Sequence, residues 1–206
     1  MTAKTVTRRA TELLDAAVSE FLANGYAAVG VKEITERAGV SHGTFYNYFD
    51  SKRHMLSVLI DRESAALLDT VSAAGRVMGD PVTVAGLRAA IHAATAGVLT
   101  EVADRIDEYR FLLFEVPGVD ADSFEEYLQL YREAVRRCSG ILAPAAEAGL
   151  LTSAVTVENI AEGWLGYMTG VVAAMVNDLD VPDPAETARV ITNLLLGGAP
   201  RAGRPA

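Results

Sequence analysis

Apolar residues near the start of the chain recur at helical spacing. Ala10, Leu13, Leu14, Ala17, Val18 and Phe21 form one stripe, which stops at Asn24-Gly25, where glycine can take the left-handed conformation that ends a helix. A short second helix is predicted over 31–38 and is broken by Gly39. Ser41 is placed to cap a third over 42–49, and Asp50-Ser51 a fourth, which carries Leu56, Leu59 and Ile60 and runs to about Met78. Asp80-Pro81 reads as a cap plus first-turn proline opening a helix to about Thr100, and 104–116 as a helix ended by Pro117-Gly118. Ser123-Phe124-Glu125-Glu126 resembles a capping box before a long helix towards Gly149. Thr156 opens another, to about Asp178, and Asp183-Pro184-Ala185-Glu186 opens the last, which ends at Gly197-Gly198. The expectation is an all-α protein of about nine helices with no strand, followed by a disordered tail at 199–206. No internal repeat breaks this plan.

Composition narrows the class. Half of the 206 residues are hydrophobic and 22% are charged, which excludes disorder over most of the length. The single cysteine, Cys138, cannot form an internal disulfide, which suits a reducing compartment. The first ten residues hold no apolar core of the kind a secretory signal needs. The longest uncharged run, 163–177, is short of the roughly 20 residues of a spanning helix. A soluble cytoplasmic protein with no membrane partner is expected.

The net charge of −9 looks unsuited to nucleic acid until its distribution is read. Residues 1–60 hold seven Lys/Arg against six Asp/Glu, with Lys4, Arg8 and Arg9 clustered at the start, so the net negative charge lies entirely beyond residue 60. The local field at a contact surface decides, and a near-neutral head can bind DNA with modest non-specific affinity.

The stretch FLANGYAAVGVKEITERAGVSHGTFYNYFDSKRHML, residues 21–56, places two short helices around Ala38-Gly39-Val40, the tight turn of a helix-turn-helix over about 30–49. Ala38 is small enough for a close crossing, Gly39 supplies a positive φ, and Val40 fills the gap between the helices. Ile34, Phe45 and Phe49 should face the Leu14/Phe21 stripe, leaving Ser41, His42, Gly43, Thr44, Tyr46, Asn47 and Tyr48 outward. Hydroxyl, imidazole and amide groups can read base edges or phosphates, and Gly43 admits a close backbone approach. Few of these side chains are long cations, so the salt dependence per head should be shallow, about three or four counterions at a slope of roughly 0.9 each.

This string is similar to the signature of the tetracycline-repressor-like (TetR) family: an aromatic then Gly-Tyr, the turn AGVSHGTFYNYF, and a helix start at Ser51-Lys52. The resemblance covers about 45 N-terminal residues; the rest matches only in length and helical plan. It implies that Ser41, His42, Gly43 and Thr44 enter the major groove, with Asn47 on the same helix. It also implies that Tyr46 and Tyr48 touch phosphate or sugar and that Lys52 contacts phosphate, while Gly25 and Tyr26 shape the connection between helices. The family usually has a hydroxyl residue at position 29 or 30. Here Val29 and Gly30 stand there, so Lys32 and the backbone amides beside it are expected to take over that contact.

Beyond the head, Ile160, Trp164, Tyr167, Met168, Val171 and Met175 form one apolar stripe of the penultimate helix, and Ala161, Leu165, Val172 and Val176 a second. Gly163, Gly166 and Gly170 permit close backbone approach. A helix apolar on two faces needs two partners. The resemblance implies that the second is the same helix pair of another subunit, with Ala161, Leu165, Val172, Val190 and Leu194 as candidate contacts of a homodimer matched to a two-fold operator. Phe111, Phe114, Tyr131, Trp164, Tyr167 and Met168, with Arg110 or His92 as polar anchor, are candidates to line an effector pocket, although each also suits plain core. Domains are expected at 1–52 for DNA binding, 53–198 for effector binding and dimerisation, and 199–206 as tail.

His42, His54, His92 and Cys138 have no metal-ligand spacing, and no nucleophile, paired-acid site or nucleotide loop stands out; neither metal, cofactor nor enzymatic activity is expected. The expected function is transcription regulation: a repressor on double-stranded operator DNA, released when a small apolar or amphipathic effector tilts the fourth helix. Two other readings stay open on the residues alone: a DNA-organising binder with no effector, and a helical ligand-binding or catalytic protein with a vestigial head.

Overall fold

The computed structural model describes residues 8–151, 154–181 and 183–197. Lys4 and the tail expected at 199–206 lie outside the described residues. Nine α-helices and no strand occur among the described residues. They are α1 (Arg8–Asn24), α2 (Val31–Arg37), α3 (His42–Tyr46), α4 (Lys52–Gly75), α5 (Val84–Asp104), α6 (Ile106–Arg110), α7 (Ala121–Glu147), α8 (Val157–Val176) and α9 (Pro184–Leu196). The chain divides into two compact units, one of residues 1–63 and 107–127, the other of 64–106 and 128–206.

The first unit is built on the stripe of α1. Leu13, Leu14, Ala17 and Phe21 are buried, and Ile34 of α2, Phe45 of α3, Phe49, and Met55, Leu56 and Leu59 of α4 join them in its interior. The sequence reading ended the head near residue 52. Here the unit continues along α4 and takes in Tyr109, Phe111, Leu112 and Val116, all buried. Phe111 stacks on Phe21 with ring centroids 5.7 Å apart, so an aromatic more than eighty positions away completes the core under α1.

Three helix boundaries fall away from the positions expected. The third helix ends at Tyr46, not Phe49, because the amides of Tyr48 and Phe49 both turn back to the Phe45 carbonyl at 3.0 Å. The helix expected at Asp80-Pro81 starts at Val84, where the Thr83 side chain accepts from the Gly86 amide at 3.0 Å and acts as the cap. The long helix starts at Ala121. Its cap is Asp120, whose carboxylate accepts from the Ser123 amide at 2.7 Å, while Ser123 itself is buried in the first turn. The segment 104–116 is not one helix: Arg105 leaves helical geometry (φ −137°, ψ 47°), and a wider π-type turn occupies Phe111–Glu115.

The second unit packs around Trp164, which is fully buried, and Ala161, Met168, Leu87, Ile91, Ala94, Ile141, Leu142 and Ile191 belong to the same cluster. The Trp164 Nε1 donates to the Thr95 hydroxyl at 3.0 Å, and Thr95 is also fully buried. This satisfies the one polar atom of the largest side chain in the core. Gly86 is required sterically: a Cβ there would stand 2.0 Å from the Met78 carbonyl oxygen, a backbone atom that cannot swing away. Cys138 lies in the same core, and burial pushes its thiol up to about 12, so it stays protonated and unreactive near neutral pH.

Candidate nucleic-acid interface

The turn between α2 and α3 has the geometry its residues predict. Gly39 takes φ +65°, a conformation costly for residues with a Cβ, and the Val40 amide donates to the Thr35 carbonyl at 3.0 Å. Ser41 stands in extended backbone and caps α3, its Oγ accepting from the Thr44 amide at 3.2 Å and lying 3.0 Å from the Thr44 hydroxyl. A five-residue helix cannot hold itself in water; α3 is held by this cap and by Phe45, which is completely buried.

What remains of α3 faces outward. Ser41, His42, Gly43, Tyr46 and Asn47 are exposed, and Thr44 and Tyr48 are half-buried. Tyr46 is 55% exposed, too much for a residue whose role is packing. Its ring lies 6.2 Å from that of His42, and the His42 Nδ1 is 3.4 Å from the Thr35 hydroxyl, so α2 steadies the imidazole. Hydroxyl, imidazole, amide and phenol therefore project from one short helix.

At the start of α2, Gly30 serves as cap without a side chain: its amide donates to the Glu33 carboxylate at 2.9 Å. Hydrogen bonds from the amides of Glu33 itself and of Gly30 hold that carboxylate below its usual range. Lys32 is exposed and 3.9 Å from Glu36, a weak surface pair. Lys52 is placed differently. Its ammonium donates to the carbonyls of Tyr26 at 2.8 Å and Val29 at 2.7 Å and sits 4.0 Å from the centroid of the Tyr26 ring. It fastens the α1–α2 connection, which fits the shaping role expected of Tyr26. Burial lowers the pKa of this ammonium.

The effector-pocket candidates are divided between the two units. Arg110, Phe111 and Phe114 belong to the unit that holds the helix-turn-helix, and His92, Tyr131, Trp164, Tyr167 and Met168 to the other. Arg110 pairs with Asp107 at 2.7 Å, and Phe111 and Trp164 are core. Phe114 and Tyr167 are exposed, and Tyr131 and His92 half-buried. An open groove of about 400 Å³ in the second unit is lined by Ser72, Gly75, Arg76, Met78, Gly79, Val82, Gly140 and Pro144, none of which was a candidate. Of the dimer candidates, Ala161 and Val172 are buried within their own unit, Leu165 is half-buried, and Val190 and Leu194 point outward. On α8 the exposed positions are Glu158, Asn159 and Glu162 near its start, then Gly163, Gly166, Tyr167 and Gly170. Among the described residues no group of three or more acid, histidine or cysteine side chains can hold a metal, and no helix is long and apolar enough to cross a membrane.

Sequence reasoning missed the polar cluster of Arg53, Ser57, Asp120 and Glu126. The signal available was the run Lys52-Arg53-His54 in a first helical turn that contains no acid, which calls for partners from elsewhere without saying which.

The arrangement matches known proteins at two levels. A model of the bacterial regulatory proteins of the tetR family matches residues 13–59. Over 55 residues the chain is 42% identical to the transcriptional repressor KstR of Mycolicibacterium smegmatis, and the match covers 27% of each protein. Over 52 residues it is 40% identical to KstR2 of Rhodococcus jostii, covering 25% of this chain and 26% of that one. The match thus spans about a quarter of the length of these curated relatives. The fold reaches further: the fatty acid degradation regulator FadR of Bacillus halodurans superposes with a TM-score of 0.80 at 19% identity, over 95% of this chain and 98% of that one. FadR of Bacillus subtilis, solved with stearoyl-CoA, gives 0.76 at 19% identity over 91% and 98%. Residues 13–59 are thus similar to the bacterial regulatory proteins of the tetR family, and the rest of the chain shares their fold.

Proposed function

We propose that this protein is a sequence-specific transcriptional regulator, a homodimeric repressor that leaves its operator when a small apolar or amphipathic effector binds the second unit. The observation that carries the reading is the outward face of α3: polar and tyrosine side chains on a helix anchored from below by Phe45 and capped by Ser41. Ser41, His42, Gly43, Thr44 and Asn47 are assigned to the major groove. Tyr46, Tyr48 and Lys32 are assigned to the sugar-phosphate backbone, and Lys52 to phosphate through whatever donor capacity the Tyr26 and Val29 carbonyls leave it.

Dimerisation is assigned to the outward apolar positions of α8 and α9. Leu194 is 62% exposed, Tyr167 45% and Val190 36%, and three glycines with open space over their Cα atoms admit close approach of another backbone. Two copies related by a two-fold axis present two reading helices to successive major grooves. The effector class rests on the apolar interior of the second unit and on the fold shared with fatty-acid regulators, one of them solved with stearoyl-CoA.

The test is direct. Genomic fragments retained by the purified protein are sequenced, and the enriched duplex is titrated by fluorescence anisotropy with and without stearoyl-CoA. A two-fold-symmetric site, bound as a dimer and released by the acyl-CoA, is expected. Binding without sequence preference would support a DNA-organising role instead, and no binding at all would remove the reading.

A further inference from the structure

The first turn of α4 carries Lys52, Arg53 and His54 in succession and no acid. Cations there face the positive end of the helix dipole, an unfavourable place unless specific partners offset it. Each has one. Lys52 holds the Tyr26 and Val29 carbonyls, 26 and 23 positions back, and the His54 Nδ1 accepts from the Asp50 amide at 3.1 Å. Arg53 reaches much further along the sequence. Its Nε donates to Asp120 Oδ2 at 2.9 Å, its Nη1 to the Ser57 hydroxyl at 2.6 Å, and its Nη2 stands 3.1 Å from Glu126 Oε2 as an ion pair. Ser57 in turn donates to Glu126 Oε1 at 2.8 Å. Asp120 also caps α7 through the Ser123 amide.

One guanidinium, one hydroxyl and two carboxylates thus join the opening turns of α4 and α7 inside the unit that holds the helix-turn-helix. The Arg53 side chain is 24% exposed and Glu126 31%, so the network is partly shielded, which separates it from a solvated surface pair. Arg53 is also the residue next to Lys52. Consecutive side chains of α4 therefore fix its start in two directions, one towards the α1–α2 connection and the other towards α7.

We infer that Arg53, Asp120 and Glu126 are positioning residues for DNA reading: the network fixes the start of α4, and with it the seat of α3, without touching DNA. The inference rests on the DNA-binding reading above. It makes an unusual demand on sign. Asp120 and Glu126 are acids in a DNA-binding unit, so on charge alone removing either should strengthen binding to a polyanion. If they position the reading helix, removal weakens it.

The experiment measures affinity and salt dependence of the intact protein on its enriched duplex for Arg53→Ala, Glu126→Ala, the double variant and the charge swap Arg53→Glu/Glu126→Arg. Expected are losses of about five- to tenfold for each single variant and little further loss in the double. Partial recovery in the swap and an unchanged slope of log affinity against log salt are also expected. Glu126→Ala binding as tightly as wild type, or Arg53→Ala lowering the slope by about 0.9, would overturn the inference, since Arg53 would then be a phosphate contact. Amide hydrogen exchange without DNA gives an independent reading: both single variants should speed exchange in 52–60 and 121–127 while Leu14 and Ile34 stay protected. No change in those two segments sinks the network even if wild type binds no DNA, which would refute only the DNA-binding reading. If Glu126→Ala unfolds the unit, Ser57→Ala removes the bridge alone and should show the same signs, with smaller size.

Discussion

Helix α3 and helix α8 use apolar residues in opposite ways. Of the five residues of α3 only Phe45 is buried, and the helix exists because a cap and one anchor hold it to the head. In the twenty residues of α8, Ala161, Trp164, Met168, Val172 and Val176 are buried along one side, while Glu158, Asn159, Glu162, three glycines and Tyr167 are exposed on the other. A short helix with a single anchor can vary its outer face at little cost to folding, so that face is free to carry recognition. A long helix with a buried stripe carries stability, and only its outward residues are left for a partner. Substitutions should therefore separate into those that move stability, those that move assembly and those that move DNA binding.

The largest effect is expected at Trp164→Ala. It removes the biggest buried side chain and orphans the Thr95 hydroxyl, and should cost about 3–5 kcal/mol in urea unfolding. A loss under about 1 kcal/mol would mean that α8 is not the core helix described here. Next is Leu194→Asp, which places a charge on an outward apolar position and should raise the dimer dissociation constant more than tenfold by sedimentation while the thermal midpoint of the isolated subunit stays put. A dimer of unchanged affinity would move the interface off α9. Tyr46→Ala should weaken operator binding about tenfold, roughly 1.4 kcal/mol, with stability altered by less than about 0.5 kcal/mol. The reverse pattern, stability lost and affinity kept, would make Tyr46 a packing residue. Ser41→Ala removes the cap of α3 and should cost about 1 kcal/mol, with a parallel loss of affinity read in the same two assays.

The smallest effect concerns pH. The Ser123 amide, and then Arg53, hold the Asp120 carboxyl below its ordinary 3.8. A carboxylate with a depressed folded pKa adds stability that is present above the unfolded value and lost as pH falls through the folded one. Urea midpoints should therefore drop from about pH 4 downward, and Asp120→Asn, which keeps the cap, should flatten that limb. Equal acid limbs in wild type and variant would show that the carboxylate's charge adds nothing.

Legibility differs between the two regions for a physical reason. The helix-turn-helix was readable because its determinants are local: Gly39 for a positive φ, Ser41 for a cap three residues from its donor, Phe45 and Phe49 at the spacing of one buried face. Thr156 and Asp183 were readable as caps on the same grounds. Asp80-Pro81 and Ser123 were plausible caps overruled by better-placed neighbours, Thr83 and Asp120, because several residues in a row can cap and packing selects one. In α8, periodicity could not say which apolar stripe faces inward; Ala161 and Val172, assigned to a partner, are buried in their own unit.

By itself, then, the amino-acid order determined most of the helices, the turn at Gly39 and the polar character of α3, since hydrogen bonds and sterics within four or five residues decide these. Tertiary structure alone decided that residues 107–127 join the head and that Phe111 lies under Phe21. It alone turned Lys52 towards two carbonyls and gave Arg53 its partners 67 and 73 positions away. Those contacts depend on where distant segments meet, and no pattern confined to one helix contains that information.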